Sequence, residues 1–507
     1  MMKKWSPVLA AVLGIIIGAL CVITIDKYKE EHQRLEAGTQ WRKLELVLQS
    51  ISENYVDSVD YETVSRAAID AALGELDPHS IYMPPVDLEQ SEEDLAGSFD
   101  GIGIQFNVPN DTAIIIEVIP GGPSEKIGLQ SGDRIIKVDS VVIAGVNYPQ
   151  DSMVRRMKGP SGTKVTVTVG RDGELIPFEI TRGKIPTHSV DCAFMVNDTT
   201  GYLRLSKFSR TTFREVVLAG TELLGEGMTR LILDIRDNTG GFFDQALMLS
   251  NLFLRKDAPI VYLEGLHRDR EEFNADGSGA FQDVELCVLI NESSASSSEI
   301  FAGAMQDNAR AEIIGRRSFG KGLVQEPVYF SDGSAIRLTV ARFYTPSGRC
   351  LQKPYSDDYT LEVYKRYGEG EMVEADSMKL EKGGIIPDIF VPVDTTRASD
   401  FYIECNRKAT AMRFASSFFD EHKAELGAIE DYQELLRYLD SSSLESRFLA
   451  FARAKDGLVP DAGWAEEREY MLAQVRALVG RYSRLGDNAF YHLYLPVDNV
   501  FQKSIGR

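Results

Sequence analysis

Hydrophobic and polar residues alternate with different periods in successive parts of this 507-residue chain, and the periods predict its elements. Near the amino terminus one apolar run, Pro7 to Ile25, contains no charged residue. Residues 32–75 repeat apolar positions three or four apart, which predicts helix. From about Gly97 onwards, short apolar runs such as 113–119 are separated by glycine and proline, which predicts β-strands.

A regular alternation of strands and helices follows Pro186. The apolar runs predict strands at 201–205, 231–235 and 285–290, and helices at 212–224, from about 244 and at 298–307. This alternation is typical of an α/β domain. Beyond about Asp400 the pattern becomes helical again, with one apolar face formed by Met471, Leu472, Val475, Leu478, Val479 and Tyr482.

The changes of pattern divide the chain into five predicted parts. They are a membrane anchor or signal segment (1–30), an N-terminal helical region (31–96), a β-rich domain (97–184), an α/β core (185–398) and a helical C-terminal extension (399–507). The predicted fold class is therefore multidomain α/β with an inserted β-rich domain and helical N- and C-terminal regions.

The apolar run near the amino terminus predicts a membrane anchor or a signal segment. Its 19 residues can just cross a bilayer as a helix, and Lys3 and Lys4 before it should stay in the cytoplasm. The alternative is a cleaved signal peptide, but no clear small-x-small cleavage site follows the run. We therefore expect a retained anchor, with the remainder of the chain outside the cytoplasm.

Composition excludes several other classes of function. The formal net charge of −21 disfavours electrostatic binding to nucleic acid, which is itself a polyanion. The five cysteines are scattered, and no CxxC or His pairing has the spacing of a metal site. We expect no disulfide framework, no metal and no cofactor.

The β-rich region resembles a PDZ domain. The resemblance is carried by the glycine-containing loop at 101–104, the strand at 113–119 and the segment GGPSEKIGLQSGDRIIKVD. In a PDZ domain the loop directs backbone N–H groups at the terminal carboxylate of a peptide, which adds as a strand to a sheet edge. The resemblance implies that this loop consists here of Gly101, Ile102, Gly103 and Ile104.

Two loops at strand ends carry the candidate chemistry. Ser296 lies in a serine-rich run after strand 285–290, and Lys321 follows 25 residues later. A serine hydroxyl becomes nucleophilic when a base takes its proton, and a lysine kept neutral by burial is such a base. Gly240 and Gly241 follow strand 231–235 and allow a backbone N–H to approach a substrate carbonyl. His79 beside a proline turn is interpreted as a local hydrogen-bonding residue rather than a catalytic one.

These segments together resemble the C-terminal processing peptidases, which are serine proteases with a Ser-Lys pair. The resemblance covers about residues 40–395 and rests on LDPHSIYMPP, the PDZ series, LDIRDNTGG, INESSASSSEIFAGAMQDNARAEIIG, SFGKGLVQ, FYTPSGRCLQKP and GGIIPDIFV. It implies a crotonase/ClpP-like α/β protease core with an inserted PDZ domain.

By position, the resemblance assigns the nucleophile to Ser296, the general base to Lys321 and a lysine-orienting residue to Gln325. It assigns the oxyanion donors to the backbone N–H groups of Gly240 or Gly241 and of Ser297. Less favoured alternatives for the nucleophile are Ser294, Ser297 and Ser298. Glu299 and Arg236 could orient the loops by charge pairing. A carboxylate at a helix start also interacts favourably with the helix dipole, and this alone would account for Glu299 without a role in the site.

The expected protein is a membrane-anchored serine endopeptidase of a bacterial inner membrane, with its catalytic part in the periplasm. Its partners would be proteins or peptides with accessible C-termini, and it could form a homo-oligomer. Two alternatives remain open: a PDZ scaffold with an inactive protease core, and a crotonase-like acyl-CoA enzyme.

Overall fold

The computed structural model describes residues 38–108, 111–119, 121–355, 362–373, 382–396 and 399–506. The described residues belong to two units, divided between Glu75 and Leu76. None of the helices in these ranges is long and apolar enough to cross a membrane. The apolar run Pro7 to Ile25, predicted as the anchor, lies outside the described residues.

The first unit contains two helices. They are α1 (38–54) and α2 (Tyr61–Gly74). The sequence pattern predicts one helical region here, and the break at 55–60 comes from the cap of α2: the Asp60 carboxylate accepts hydrogen bonds from the N–H groups of Glu62 and Thr63 at 3.1 and 3.3 Å. Such a side-chain cap fixes the start of a helix.

The second unit begins with the elements of the PDZ domain and its flanks. In chain order they are β1 (Ile81–Met83), α3 (Pro85–Ala96), β2 (Ser98–Gly101), β3 (Ile104–Asn107), β4 (Ala113–Val118), α4 (Pro123–Lys126), β5 (Arg134–Val138), β6 (Val141–Val142), α5 (Gln150–Met157), β7 (Lys164–Arg171), β8 (Glu174–Thr181) and β9 (Gly183–Pro186). The sheet has the order β3-β4-β5-β7-β8, with β6 beside β5, so β3 is an edge strand. Its core contains apolar side chains such as Ile115, Val167 and Met153.

The α/β core follows. Its elements are β10 (Val190–Met195), β11 (Thr200–Leu205), α6 (Thr212–Gly225), β12 (Arg230–Asp234), α7 (Phe243–Phe253), β13 (Pro259–Gly265), β14 (Arg268–Asn274), β15 (Glu285–Ile290), α8 (Ser297–Asp307), β16 (Ala311–Gly315), β17 (Leu323–Tyr329), β18 (Ala335–Tyr344), α9 (Glu362–Gly368) and β19 (Ile389–Phe390). The central sheet has the order β10-β11-β12-β15-β16-β19 and is parallel except for β10. A second sheet, β1-β18-β13-β14 with β17 beside β18, is antiparallel.

The C-terminal extension is helical, as predicted. It contains α10 (Asp400–Arg407), α11 (Thr410–Glu421), α12 (Lys423–Ala428), α13 (Tyr432–Ser441), α14 (Leu444–Asp456), α15 (Trp464–Gly480), α16 (Gly486–Tyr494), a 3-10 turn (Leu495–Val497) and α17 (Asn499–Ile505). Met471, Val475 and Val479 of α15 are buried in the core of this bundle. The final residues instead pack on the central sheet, where Leu495, Val500 and Phe501 meet Tyr202 and Ile232.

Candidate active site

Three loops meet at the carboxyl ends of adjacent parallel strands. β12, β15 and β16 are neighbours in the central sheet. The loops after them carry Gly240, Ser296 and Lys321, respectively. Because parallel strands end at the same edge, this is where ligand sites of α/β sheets form. The fold therefore brings the predicted residues of three distant segments together.

Ser296 occupies an unusual backbone conformation at the start of α8. Its φ is 56° and its ψ is −115°. Residues other than glycine seldom adopt positive φ, and such strain is held in place by surrounding contacts. Here the Ala295 N–H donates to the Asn238 carbonyl at 3.0 Å, and the Phe319 N–H donates to the Ser294 carbonyl at 2.9 Å. The turn is thus fixed from both neighbouring loops.

The neighbouring serines use their hydroxyls to build this turn. Ser294 Oγ donates to the Ile235 carbonyl at 2.8 Å. Ser297 Oγ donates to the Gly241 carbonyl at 3.0 Å, and Ser298 Oγ to the Asn238 carbonyl at 2.8 Å. Among the described residues, the Ser296 hydroxyl makes no such bond to a carbonyl, and Ser296 lines the cleft. The geometry therefore favours Ser296 over the three alternatives.

A buried carboxylate, Glu299, joins the serine loop to the lysine loop. One oxygen, Oε2, accepts from the N–H of Ser296 at 2.9 Å and from the N–H of Lys321 at 2.8 Å. The other, Oε1, accepts from Ser318 Oγ at 2.5 Å and from the Gly320 N–H at 2.7 Å. Burial raises the pKa of Glu299, while the four hydrogen bonds oppose that rise.

Arg236, the other residue expected to orient the loops, does not pair with Glu299. Its guanidinium binds Asp234 at 2.6 Å and Asp498 at 2.9 Å. It therefore ties the end of β12 to the C-terminal tail, whereas Glu299 is bound by N–H and O–H donors instead of a cation.

The two glycines differ in what their N–H groups do. The Gly240 N–H donates to Asn238 Oδ1 at 2.9 Å. No hydrogen bond involves the N–H of Gly241 or Ser297 among the described residues, and both residues line the cleft. A Cβ on Gly240 would lie 2.8 Å from Ser296 Cβ, and one on Gly241 would lie 2.0 Å from the Phe208 carbonyl oxygen. Neither position has room for a side chain, and of the two glycines only Gly240 has its N–H bonded within the described residues.

Lys321 lines the same cleft and is largely buried. Burial lowers the pKa of its amine from the ordinary 10.5, and the positive charge of Arg337 lowers it further, against the opposing charges of Glu299 and Asp77. No hydrogen bond links its amine to the Ser296 hydroxyl in the described part of the chain. Catalytic hydrogen bonds are often long before substrate binds. Burial and the charge of Arg337 both favour the neutral form of the amine.

Gln325 lies on β17 and lines the cleft as well. Its Nε2 donates to the carbonyl oxygen of His79 at 2.6 Å. His79 is interpreted from sequence as a local hydrogen-bonding residue. In the structure its backbone carbonyl binds the side chain of Gln325. Burial and the nearby Lys321 charge lower the pKa of His79 to about 4, so its imidazole is neutral near pH 7.

The cleft is large enough for a polypeptide segment. Its volume is about 1060 Å³. Its apolar walls come from the second sheet, the start of α7 and the region of α3, namely Met83, Leu88, Phe242, Phe243, Leu323 and Phe343. No group of three His, Cys, Asp or Glu side chains able to hold a metal ion occurs within the described ranges.

Sequence reasoning missed two residues of the site. Asn238 is fully buried and bonds to Gly240 and to the Leu205 carbonyl, and Arg337 lines the cleft and donates to Ser91 Oγ at 2.7 Å. Asn238 stands beside the glycine pair in the LDIRDNTGG motif, which offered a signal. Arg337 belongs to a strand without any local signal of function.

The predicted carboxylate-binding loop lies beside the edge strand β3. The Ile102 carbonyl accepts from the N–H and Oγ of Ser124 at 3.0 and 2.6 Å, and the Gly103 carbonyl accepts from the Ile119 N–H at 3.1 Å. These two carbonyls are therefore used within the domain. β3 pairs only with β4 in the described sheet, so its other edge is open to a peptide strand.

Two sequence profiles match the chain. Residues 199–361 match Peptidase family S41, and residues 101–181 match a PDZ domain. The first match covers the α/β core from β11 to β18, and the second covers the sheet that contains β3.

Curated relatives match over a longer range. A "Probable CtpA-like serine protease" of Staphylococcus saprophyticus is 34% identical over 62% of this chain, and the match spans 63% of that relative's length. The protein of the same name from Staphylococcus epidermidis is 32% identical over 69% of this chain and 71% of its own. Among solved structures, a photosystem II D1 C-terminal processing protease is 26% identical over 70% of this chain and 87% of its own, with a TM-score of 0.40.

Proposed function

The chain belongs to peptidase family S41, with a PDZ domain, and we propose that this serine peptidase cleaves polypeptides near their C-termini by a Ser-Lys acyl-enzyme mechanism. The observation that carries this proposal is the shared oxygen of Glu299, which accepts the N–H groups of both Ser296 and Lys321. One buried carboxylate thereby holds the backbones of nucleophile and base in a fixed relation.

The proposed reaction begins when Lys321 accepts the hydroxyl proton of Ser296, whose oxygen attacks the peptide carbonyl. The N–H groups of Gly241 and Ser297 stabilise the negative charge that develops on the carbonyl oxygen. Lys321 then passes the proton to the leaving amine, and the peptide bond breaks. Water, deprotonated by the same lysine, hydrolyses the ester, which releases the acid and restores Ser296.

The test uses the full chain and an unfolded protein as substrate. Ser296→Ala and Lys321→Ala should each lower kcat by about 10⁴-fold or more, because nucleophile and base act as a unit. Ser293→Ala is the matched control, since Ser293 lies in the same loop but outside the cleft, and it should keep its activity. Unchanged turnover in either of the first two variants contradicts the proposal. An inactive scaffold would show no turnover in the wild type.

We further propose that the PDZ domain binds substrate C-termini beside Gly101, Ile102, Gly103 and Ile104. The open edge of β3 supports peptide addition there. Amidation of a peptide's terminal carboxylate should weaken its binding about tenfold or more, because a charge-assisted hydrogen bond is lost. Acetylation of the same peptide's amino terminus is the control and should change nothing. Equal affinity of the acid and the amide would exclude this mode of binding.

The location proposed from the sequence is the inner membrane of a bacterium. Lys3 and Lys4 before the run Pro7 to Ile25 support an anchor with the catalytic part in the periplasm. Substrates there would be exported or membrane proteins with accessible C-termini.

A further inference from the structure

The motif LDPHS forms a turn beside the cleft, and its Asp77 and Ser80 are buried. The Asp77 carboxylate accepts from the N–H groups of His79 and Ser80 through Oδ1, at 2.8 Å each, and from Ser80 Oγ through Oδ2 at 2.7 Å. Asp77 is 9% exposed and Ser80 only 3%. Burial of a carboxylate costs free energy unless hydrogen bonds compensate for its lost hydration. A turn that only reverses the chain can form with its carboxylate in water, so the burial of Asp77 suggests a further role.

The turn is bound to the hairpin β17–β18 at the position of Gln325. The Thr339 N–H donates to Ser80 Oγ at 3.2 Å. Thr339 is the register partner of Gln325, whose Nε2 donates to the His79 carbonyl at 2.6 Å. Asp77, Ser80, Thr339, Gln325 and His79 thus form a closed ring of backbone and side-chain contacts.

This ring decides which end of the Gln325 amide faces the cleft. A carbonyl oxygen can only accept hydrogen bonds, so the NH2 group of the amide has to face His79. The amide oxygen is then left for the cleft that Gln325 and Lys321 both line. An acceptor there can bind an N–H of the lysine amine and turn its lone pair toward Ser296.

We propose that Asp77 is a positioning residue for the general base: through the His79 carbonyl it fixes the Gln325 amide, whose oxygen orients the amine of Lys321. The inference rests on the proposed Ser-Lys mechanism and goes beyond it. Electrostatic contacts agree with the placement, because the charge of Asp77 raises the pKa of Lys321 and the charge of Lys321 lowers that of His79. Glu299 and Arg337 are the other charged groups that act on Lys321.

Two substitutions separate the charge of Asp77 from the shape of the turn. Asp77→Asn keeps an oxygen for both N–H groups but removes the negative charge near Lys321. The ascending limb of the kcat profile should move to lower pH, since an opposite charge no longer stabilises the protonated amine. Asp77→Ala removes the acceptor that holds the turn. We expect kcat to fall about 100-fold with little change in KM, because general-base catalysis contributes about 10²- to 10⁴-fold and the lysine itself remains.

The decisive comparison is a double-mutant cycle with Gln325→Ala. If Asp77 acts through Gln325, Asp77→Ala/Gln325→Ala should be no slower than the worse single variant, because both remove one interaction. If the two fold-losses multiply, the inference is wrong. A purely structural role would lower the melting temperature without moving the pH profile. Should Asp77→Ala fail to fold, the cycle with Gln325→Ala is measured with Asp77→Asn in its place, and multiplying fold-losses again refute the inference.

The matched control lies at the other end of the same hairpin. Asp332 accepts from the N–H and Oγ of Ser334 at 2.9 and 2.7 Å, and Asp332 is outside the cleft. Asp332→Asn should leave kcat and its pH profile unchanged. Ser296→Ala is assayed alongside these variants. If Ser296→Ala keeps full activity, the proposed function is wrong. An inactive Ser296→Ala, together with Asp77 variants that behave like Asp332→Asn, refutes only the role of Asp77.

Discussion

The lowered pKa of Lys321 predicts that this residue reduces the stability of the fold near neutral pH. Its amine is buried, and the pKa lies below the ordinary 10.5. At pH 7 the folded chain has either to hold an ammonium in a poorly solvated site or to give up its proton. Each unit by which the pKa is lowered corresponds to about 1.4 kcal/mol. Catalytic residues often carry such a cost, which substitution can relieve.

Lys321→Met should therefore raise the free energy of unfolding at pH 7 while abolishing activity. Between the lowered pKa and 10.5 the unfolded wild-type chain binds more protons than the folded one, so wild-type stability rises with pH and the difference shrinks. Denaturant unfolding of both proteins at pH 7 and pH 10 measures this. Lys164→Met, at an exposed lysine, is the control and should change stability by about 0.5 kcal/mol or less. A destabilised Lys321→Met would contradict the argument.

The sequence predicted that Ser296 and Lys321 lie near each other, and both line the cleft, but it did not predict the contacts around them. Ser296 and Lys321 follow from motif and order along the chain. The choice between Gly240 and Gly241 depends on the Asn238 amide, which captures the Gly240 N–H. Arg337 enters the cleft through the register of β17 and β18. The Asn238 contact is local to its motif, whereas the placement of Arg337 leaves no local pattern, because the pairing of two strands decides it.

At the scale of elements, the last helix belongs to the protease core as much as to the C-terminal bundle. Phe501 of α17 is 3% exposed and packs edge-on against Tyr202 at a ring distance of 5.6 Å. Arg230 Nη2 also donates to the Ser504 carbonyl at 2.8 Å. The tail thus covers the face of the central sheet opposite to α7 and α8, whose residues belong to another cluster.

Phe501→Ala should destabilise the core by about 3–5 kcal/mol, because a buried ring is replaced by a cavity. Phe501→Leu, which keeps most of the volume, should cost clearly less. The exposed Phe330 at the hairpin tip is the control, and its replacement by Ala should have almost no effect. The loss of stability is measured by thermal unfolding, and the rate of proteolytic cleavage within the central sheet provides a second measurement. Equal stability of Phe501→Ala and Phe330→Ala would show that the tail is not part of the core.

Element types were predictable wherever the apolar period was strong. The strand at 285–290 matches β15 residue for residue, and the helix expected at 298–307 begins one residue earlier. The break between α1 and α2 was missed because apolar spacing continues across it, while the cap of Asp60 decides the boundary. The docking of α17 could not be inferred, because its contact with Arg230 spans 274 residues and an amphipathic pattern predicts a buried face but not the element that covers it.

At the scale of the whole molecule, the predicted family and fold class are confirmed. The structure adds contacts between the PDZ domain and the C-terminal helices. Arg134 of β5 pairs with Asp420 of α11, and Phe419 lies so close to Gly132 that a Cβ there would be 2.7 Å from its ring. The extension therefore touches both the domain proposed to bind C-termini and the sheet whose loops carry Ser296 and Lys321. The sequence gave no indication of these contacts between the PDZ domain and α11, because charged residues such as Arg134 and Asp420 are typical of any protein surface.

The location of the molecule is the prediction that the described residues leave to experiment. We expect the full chain to sediment with inner membranes and to be digested by protease added to spheroplasts, because 19 uncharged residues match the thickness of a bilayer and Lys3 and Lys4 set the orientation. Ile16→Arg places a charge in the middle of the run at a cost of about 3 kcal/mol and should reduce membrane insertion. Trp5→Phe, outside the run, is the control. A soluble periplasmic protein whose first residue lies after Ile25 would instead identify the run as a cleaved signal peptide.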